Sequence, residues 1–218
     1  MTAGTNTTEA PAARRGTQRI FLLSPADCGG RRARLIVNPN AAFDLAVRLR
    51  SDAGAPLGEV FSFLSGLYFR GKLAYARAFA RPSATHDSVR VITAGDGLQS
   101  AEMRVTRSHL ERYAAIPVEP DEPRYRVPLT RDIGKLMRRL DEDSQVVLLG
   151  SLASSKYLDV LVEVLGKRLH LPPQLIGLGD MSRGSLLLRC AAEGRELDYV
   201  SIVDVDARKL PPRVRKRL

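Results

Sequence analysis

Residues Gln18–Ser24 read QRIFLLS, a short unbroken apolar run closed by Ser24-Pro25. A strand with one wet face alternates apolar and polar residues, so a continuous run of this length marks a strand covered on both faces. The proline that follows ends the ladder, because it cannot donate a backbone hydrogen bond and holds its predecessor extended. QVVLLGS (Gln145–Ser151) repeats this signature, and SVRVITAG (Ser88–Gly95) alternates and then becomes apolar, as a second strand would, before a glycine-containing turn.

Helical periodicity fills the intervals. NAAFDLAVRLR (Asn40–Arg50) sets Phe43 and Val47 against arginines, and LTRDIGKLMRRLD (Leu129–Asp141) places Ile133, Leu136, Met137 and Leu140 on one face. The stretch Ala55–Pro82 is helical on either side of Gly66, which predicts two helices meeting near SGLYFRG, with Pro82 as the stop. SSKYLDVLVEVLGKRLH (Ser154–His170) is expected to start at a serine cap, and SRGSLLLRCAAEG (Ser182–Gly194) to stop at Gly194. PQLIGLGD (Pro173–Asp180) predicts a fourth strand and LDYVSIV (Leu197–Val203) a last one. Fully apolar strands alternating with helices give an α/β fold with a mainly parallel, helix-flanked central sheet in a single globular domain over residues 18–206.

Both ends are polar. Residues 1–17 have no apolar signal-peptide core and are expected to be a disordered N-terminal tail, while residues 207–218 carry basic residues around two prolines and are expected to be a solvated basic C-terminal tail. The chain has 34 Lys plus Arg against 24 Asp plus Glu, a net charge of +10 that favours polyanionic partners such as nucleic acid. No apolar stretch approaches the roughly 20 residues that cross a bilayer, so no membrane partner is expected. Two cysteines, Cys28 and Cys190, without a C-x-x-C pair, fit a reducing cytoplasm and no zinc site. The histidines, His86, His109 and His170, lack ligand spacing, and no Walker loop, dinucleotide fingerprint or G-x-S-x-G elbow occurs. No cofactor is expected.

In parallel sheets ligands gather at the carboxyl ends of the strands. The turns SPADCGG, TAGDGL, GSLASSKY and GLGDMSRG are therefore candidates for one shared rim. Asp27, Asp96 and Asp180 follow separate strands and are candidate water-orienting or ribose-binding carboxylates, with a turn-forming role as the plain alternative. Arg31 and Arg32 beside Gly29-Gly30, together with Ser154, Ser155, Lys156 and Arg183 at helix starts, are candidate phosphate ligands. Tyr68 and Tyr157 are candidate base-stacking walls.

Several of these segments, in order, resemble the YaaA family of peroxide-stress proteins. The likeness rests on FLLSPA (Phe21–Ala26), RVITAGDGL (Arg90–Leu98) with the basic segment EMRVTRSH after it, LASSKYLDVL (Leu152–Leu161) behind the VVLLG strand, and GDMSRGSLLLR (Gly179–Arg189). The resemblance implies a cytoplasmic α/β protein with a positively charged cleft, associated with DNA binding and protection from oxidative damage, and distantly similar to uracil-DNA-glycosylase-like domains. Two departures stand out. Asp27 replaces the lysine that follows Ser-Pro-Ala in that family, and IGLGD replaces its Lys-Ala-Arg-Gly lead-in. The water-activating and His-Pro-Ser signatures of the glycosylases are absent.

Three functions follow as expectations. The first is a DNA-binding protein of stress response or DNA repair, working through a basic cleft. The second is an enzyme acting on a nucleotide or an extruded base, by glycosylase-like chemistry. The third is an interaction module that uses the aromatic face of VFSFLSGLYF (Val60–Phe69).

Overall fold

The computed structural model describes residues 18–81, 87–152 and 155–215, with backbone alone at 207 and 213. The expected tail at 1–17, the stop at Pro82, His86 and the cap at Ser154 lie outside these residues.

Strand β1 (Arg19–Leu23) is buried along its whole length. It is followed by α1 (Arg31–Val37), α2 (Asp44–Arg50), β2 (Ala55–Pro56), α3 (Leu57–Ser65), α4 (Leu67–Phe79) and β3 (Val89–Ile92). The chain continues through β4 (Leu98–Ser100), β5 (Arg104–Val105), α5 (Arg107–Ala114), α6 (Pro123–Met137), β6 (Gln145–Leu149) and α7 (Ser155–Leu165). It ends with β7 (Leu169–Leu171), α8 (Asp180–Glu193), β8 (Val200–Ser201) and α9 (Pro212–Arg215).

The main sheet has the order β4-β3-β1-β6-β7-β8. Strands β3, β1, β6 and β7 run parallel, and antiparallel β4 and β8 close the two edges. β2 and β5 form a separate antiparallel ribbon. The apolar run of β1 now has its physical reason: Phe21 and Leu23 enter a core shared with α1–α4 and α8, while Ile20 and Leu22 enter a second core shared with α6, α7 and α9. Two covered faces leave no polar alternation to see.

After β1 the chain turns to β3 on one side, and it later returns past β1 to β6 on the other. The reversal makes a crevice at the carboxyl ends of β1 and β6, the position where doubly wound sheets hold ligands. Gly66 separates α3 from α4 at φ +66, as its place between two periodic segments implies. Helices α4 and α8 cross through Gly71 and Gly184. A Cβ on Gly71 would stand 2.6 Å from the Gly184 carbonyl oxygen, so only glycine lets the backbones approach.

Four local expectations differ. The fourth strand is LHL (Leu169–Leu171), two residues ahead of the segment expected; Pro172 and Pro173 cannot join a ladder, and Pro173–Leu175 forms a 3-10 turn. The last strand shortens to two residues before a 3-10 turn. The described part of the C-terminal segment is folded rather than solvated: Leu210 and Val214 are buried in the core beside α7. The aromatics offered as an interaction face belong to the interior, because Phe61, Tyr68 and Phe69 are buried. That removes the main support for an interaction module.

Candidate functional site

At the end of β1 the chain runs Ser24, Pro25, Ala26, Asp27, Cys28, Gly29 and enters α1. Asp27 folds this segment back by accepting the Gly29 amide on Oδ1 at 2.9 Å. At the end of β3, Thr93 makes the corresponding turn: its hydroxyl accepts the Asp96 amide at 3.0 Å and donates to the Gly97 carbonyl at 3.0 Å. Gly97 takes φ +67, and any Cβ there would meet the Pro128 carbonyl at 2.6 Å. At the end of β6, Gly150 leaves room for Tyr157, whose hydroxyl donates to the Ser151 carbonyl at 2.7 Å.

Between these turns lies a cavity of about 360 Å3. Pro25–Gly29 form one wall, Ala94 and Tyr113 a second, the Ile116-Pro117-Val118 segment a third, and Lys156 with Tyr157 the fourth. Among the described residues its lining is apolar and aromatic except for one acid, Asp27, and one base, Lys156. Cys28 shares the wall, but burial, with the Asp27 carboxylate second, pushes its thiol up to about 12, so it offers no thiolate at neutral pH.

Asp96 does not line the cavity. Its Oδ2 accepts the Tyr113 hydroxyl and Arg112 Nη2, both at 2.6 Å, so it positions a wall of the pocket from behind. Burial, reinforced by the Asp96 contact, raises the Tyr113 phenol and keeps it protonated as that donor. Asp180 and Arg183 stand together at the start of α8, 3.1 Å apart, and buried Arg183 also donates Nε to the Leu175 carbonyl at 3.2 Å. Arg31 and Arg32 are exposed on α1 and line no part of the cavity; Arg32 donates to the Phe63 carbonyl at 3.3 Å. Ser155 opens α7 beside Lys156. Tyr157 lines the pocket; Tyr68 is buried behind it, its ring 5.7 Å from the Arg183 guanidinium. The expected residues thus divide: Asp27, Lys156 and Tyr157 share one cavity, Asp96 supports it, Asp180, Arg183 and Tyr68 form a layer behind it, and Arg31 and Arg32 stand apart.

That layer contains a residue not anticipated from the sequence. Lys72, on α4, is fully buried and donates from Nζ to the carbonyl and the hydroxyl of Ser24, at 2.8 Å each. Its ammonium also lies 4.7 Å from the rings of Tyr68 and Phe69. Burial drives its pKa down to about 7, outweighing the opposing pull of the Asp180 charge. Ser24 in turn reaches the Tyr157 hydroxyl, which burial pushes up to about 12. The signal for Lys72 was present: it falls three or four residues from Tyr68, Phe69, Tyr75 and Ala76, inside the apolar stripe of its helix.

A second concavity, of about 330 Å3, opens between β3, β4 and α6. Arg90, Arg131, Lys135 and Arg139 line it, with Asp132 the sole acid among its lining residues. Asp132 holds Arg131 in a paired contact at 2.8 and 3.0 Å and lies 3.6 Å from Lys135. The described lining of this concavity thus carries a net positive charge. Among the described residues no group of three or more His, Cys, Asp or Glu side chains could hold a metal ion, and no helix is long and apolar enough to cross a membrane.

No family model, no curated protein and no solved structure matches this chain.

Proposed function

We propose that this protein binds a nucleic-acid strand and receives a nucleotide, or a base lifted out of the strand, in the pocket between β1 and β6. The observation that carries this reading is that Asp27 and Lys156 face one cavity of about 360 Å3, walled by Tyr113 and Tyr157, at the point where the strand order reverses. A planar base suits a narrow apolar space with aromatic sides; Asp27 supplies an acceptor for an amino edge, and Lys156 a cation for phosphate. The basic concavity beside α6 supports a strand rather than a free nucleotide, since four cations against one acid, Asp132, along one surface leave a net positive charge for successive phosphates. The likeness to DNA-associated peroxide-stress proteins points the same way.

The test is binding of a labelled single-stranded oligonucleotide across a salt series. Replacing Lys135 and Arg139 by glutamine is expected to flatten the slope of log K against log salt by about 1.4, at roughly 0.7 for each phosphate no longer neutralised. An unchanged slope would remove the strand-binding reading.

One observation favours a catalytic version. Among the described residues Asp27 accepts a hydrogen bond on Oδ1 from the Gly29 amide and none on Oδ2, the oxygen that would orient a water molecule against a glycosidic carbon. Release of free base from damaged or unpaired substrates, lost in Asp27→Asn, is the expected result. Base release undiminished in that variant would rule out Asp27 as the water-orienting group.

A further inference from the structure

The walls of the switch-point pocket carry one acid and one base, so their charges offset each other and the sign of the potential inside depends on what stands behind the floor. Lys72 stands there. Its Nζ is 2.8 Å from both oxygens of Ser24, and the next residue, Pro25, already lines the cavity. Among the described residues its hydrogen-bond partners are those two neutral oxygens and no carboxylate.

The groups that face Lys72 come from four elements. Its own helix contributes the Tyr68 and Phe69 rings, and β1 leads into Ser24. From α8 come Arg183 and Asp180, opposite charges paired with each other at 3.1 Å, and from α7 comes Tyr157 through Ser24. The Asp180 charge favours the charged amine and the Arg183 charge opposes it, and the tyrosines stay neutral through the physiological range because burial raises both phenols. Lys72 is brought by burial to a value near neutral pH, where its charge can change.

We propose that Lys72 couples anion binding to proton uptake: a phosphate-bearing ligand entering the pocket draws a proton onto Lys72, and a protonated Lys72 in turn tightens the ligand. This inference rests on the nucleotide reading of the pocket. The physical basis is the low screening of a buried charge, which makes a cation one residue behind the wall count for more than the same cation in solvent. Reciprocity does the rest, because a ligand that favours the charged amine must lose affinity as the amine deprotonates. Burial has already brought Lys72 to about 7, where a small extra potential changes its occupancy most.

The probe is a dinucleoside monophosphate, whose phosphodiester does not titrate between pH 6 and 9. Calorimetry at pH 7.5 in buffers of different ionisation heat is expected to show uptake of a fraction of a proton on binding. Affinity should fall about tenfold from pH 6 to pH 8.5, which corresponds to a shift of about one pKa unit on binding. Lys72→Met should abolish both effects. In case that variant fails to fold, the unmodified chain carries the second measurement: the Lys72 side-chain resonance, titrated with and without probe, should move to higher pKa in the complex. Binding without proton uptake, uptake that survives in Lys72→Met, or a Lys72 titration that does not move would each overturn the proposal and leave the nucleotide pocket standing. Absence of any binding between pH 6 and 9 would overturn both.

Discussion

The mouth and the floor of the pocket each contain a lysine, and the two could hardly be more differently placed. Lys156 is exposed at the first turn of α7, where surface substitutions are ordinarily cheap. Lys72 lies 1% exposed between α4 and the end of β1, where a charge costs desolvation; the Ser24 oxygens and the Tyr68 and Phe69 rings hold its ammonium. The comparison teaches that at this rim solvent decides which charges are fixed and which are adjustable. A cation in the mouth is open to a ligand directly; a cation in the floor, stripped of water, becomes responsive to its surroundings.

The largest test of that contrast is the pH dependence of stability. Lys72 has a folded-state value of about 7 against 10.5 for the ordinary side chain. Below pH 7 both folded and unfolded chains carry the proton, so the full cost of the buried charge is present. Between pH 7 and 10.5 the unfolded chain binds more protons, and stability rises with pH. The wild type should therefore gain roughly 3–5 kcal/mol across this window that Lys72→Met does not, at 1.36 kcal/mol per pKa unit. Parallel urea-unfolding curves at pH 6, 8 and 10 check it, and equal slopes for the two chains would show that the amine is solvated after all.

The next effect concerns what holds the floor closed. Gly71→Val forces a branched side chain against the backbone of Gly184, which neither helix can yield without separating. A loss of about 3 kcal/mol is expected from overpacking at this crossing, read as a fall in Tm. Because Lys72 follows Gly71 and Arg183 precedes Gly184, the same variant should raise the Lys72 pKa as water enters.

Smaller effects belong to the walls. Tyr113→Phe removes the hydroxyl that donates to Asp96 and should cost about 1.5 kcal/mol, the value of a hydrogen bond to a charged group, measured by urea denaturation. Lys156→Gln should change stability by less than about 0.5 kcal/mol while weakening the dinucleotide several-fold in a binding titration. If Lys156→Gln proved as destabilising as Tyr113→Phe, the mouth would be structural and the contrast with the floor would collapse.

The strand framework was legible in the sequence: RIFLL and QVVLL show the continuous apolar run that burial on two faces writes, and VRVI, which alternates around Arg90 before turning apolar, is the third of these parallel strands. Gly66 and Gly194 were legible because both take positive φ at helix ends. The helix α1 was not, since RRARLIV hides two buried residues, Ala33 and Ile36, among exposed arginines. Of the site, Asp27 and Lys156 were visible as polar residues next to strand ends, the simplest rule of parallel sheets. Asp96 was visible for the same reason, yet its carboxylate turns toward Arg112 and Tyr113, a tertiary choice that spacing does not encode. Lys72 escaped notice because a lysine in an amphipathic helix is ordinarily assigned to the wet face, and only its register with Phe69 and Ala76 says otherwise. Arg90 and Arg139 are far apart in sequence, and only the β3–α6 packing brings them to one concavity.

The two edge strands have a further consequence. β4 offers three residues and β8 two, and both run against the four parallel strands they flank. An incoming strand would find at most two or three rungs before the ladder ran out, too few to support sheet extension from one molecule to the next. If copies of this chain assemble, joining these two sheet edges is the route least available to them.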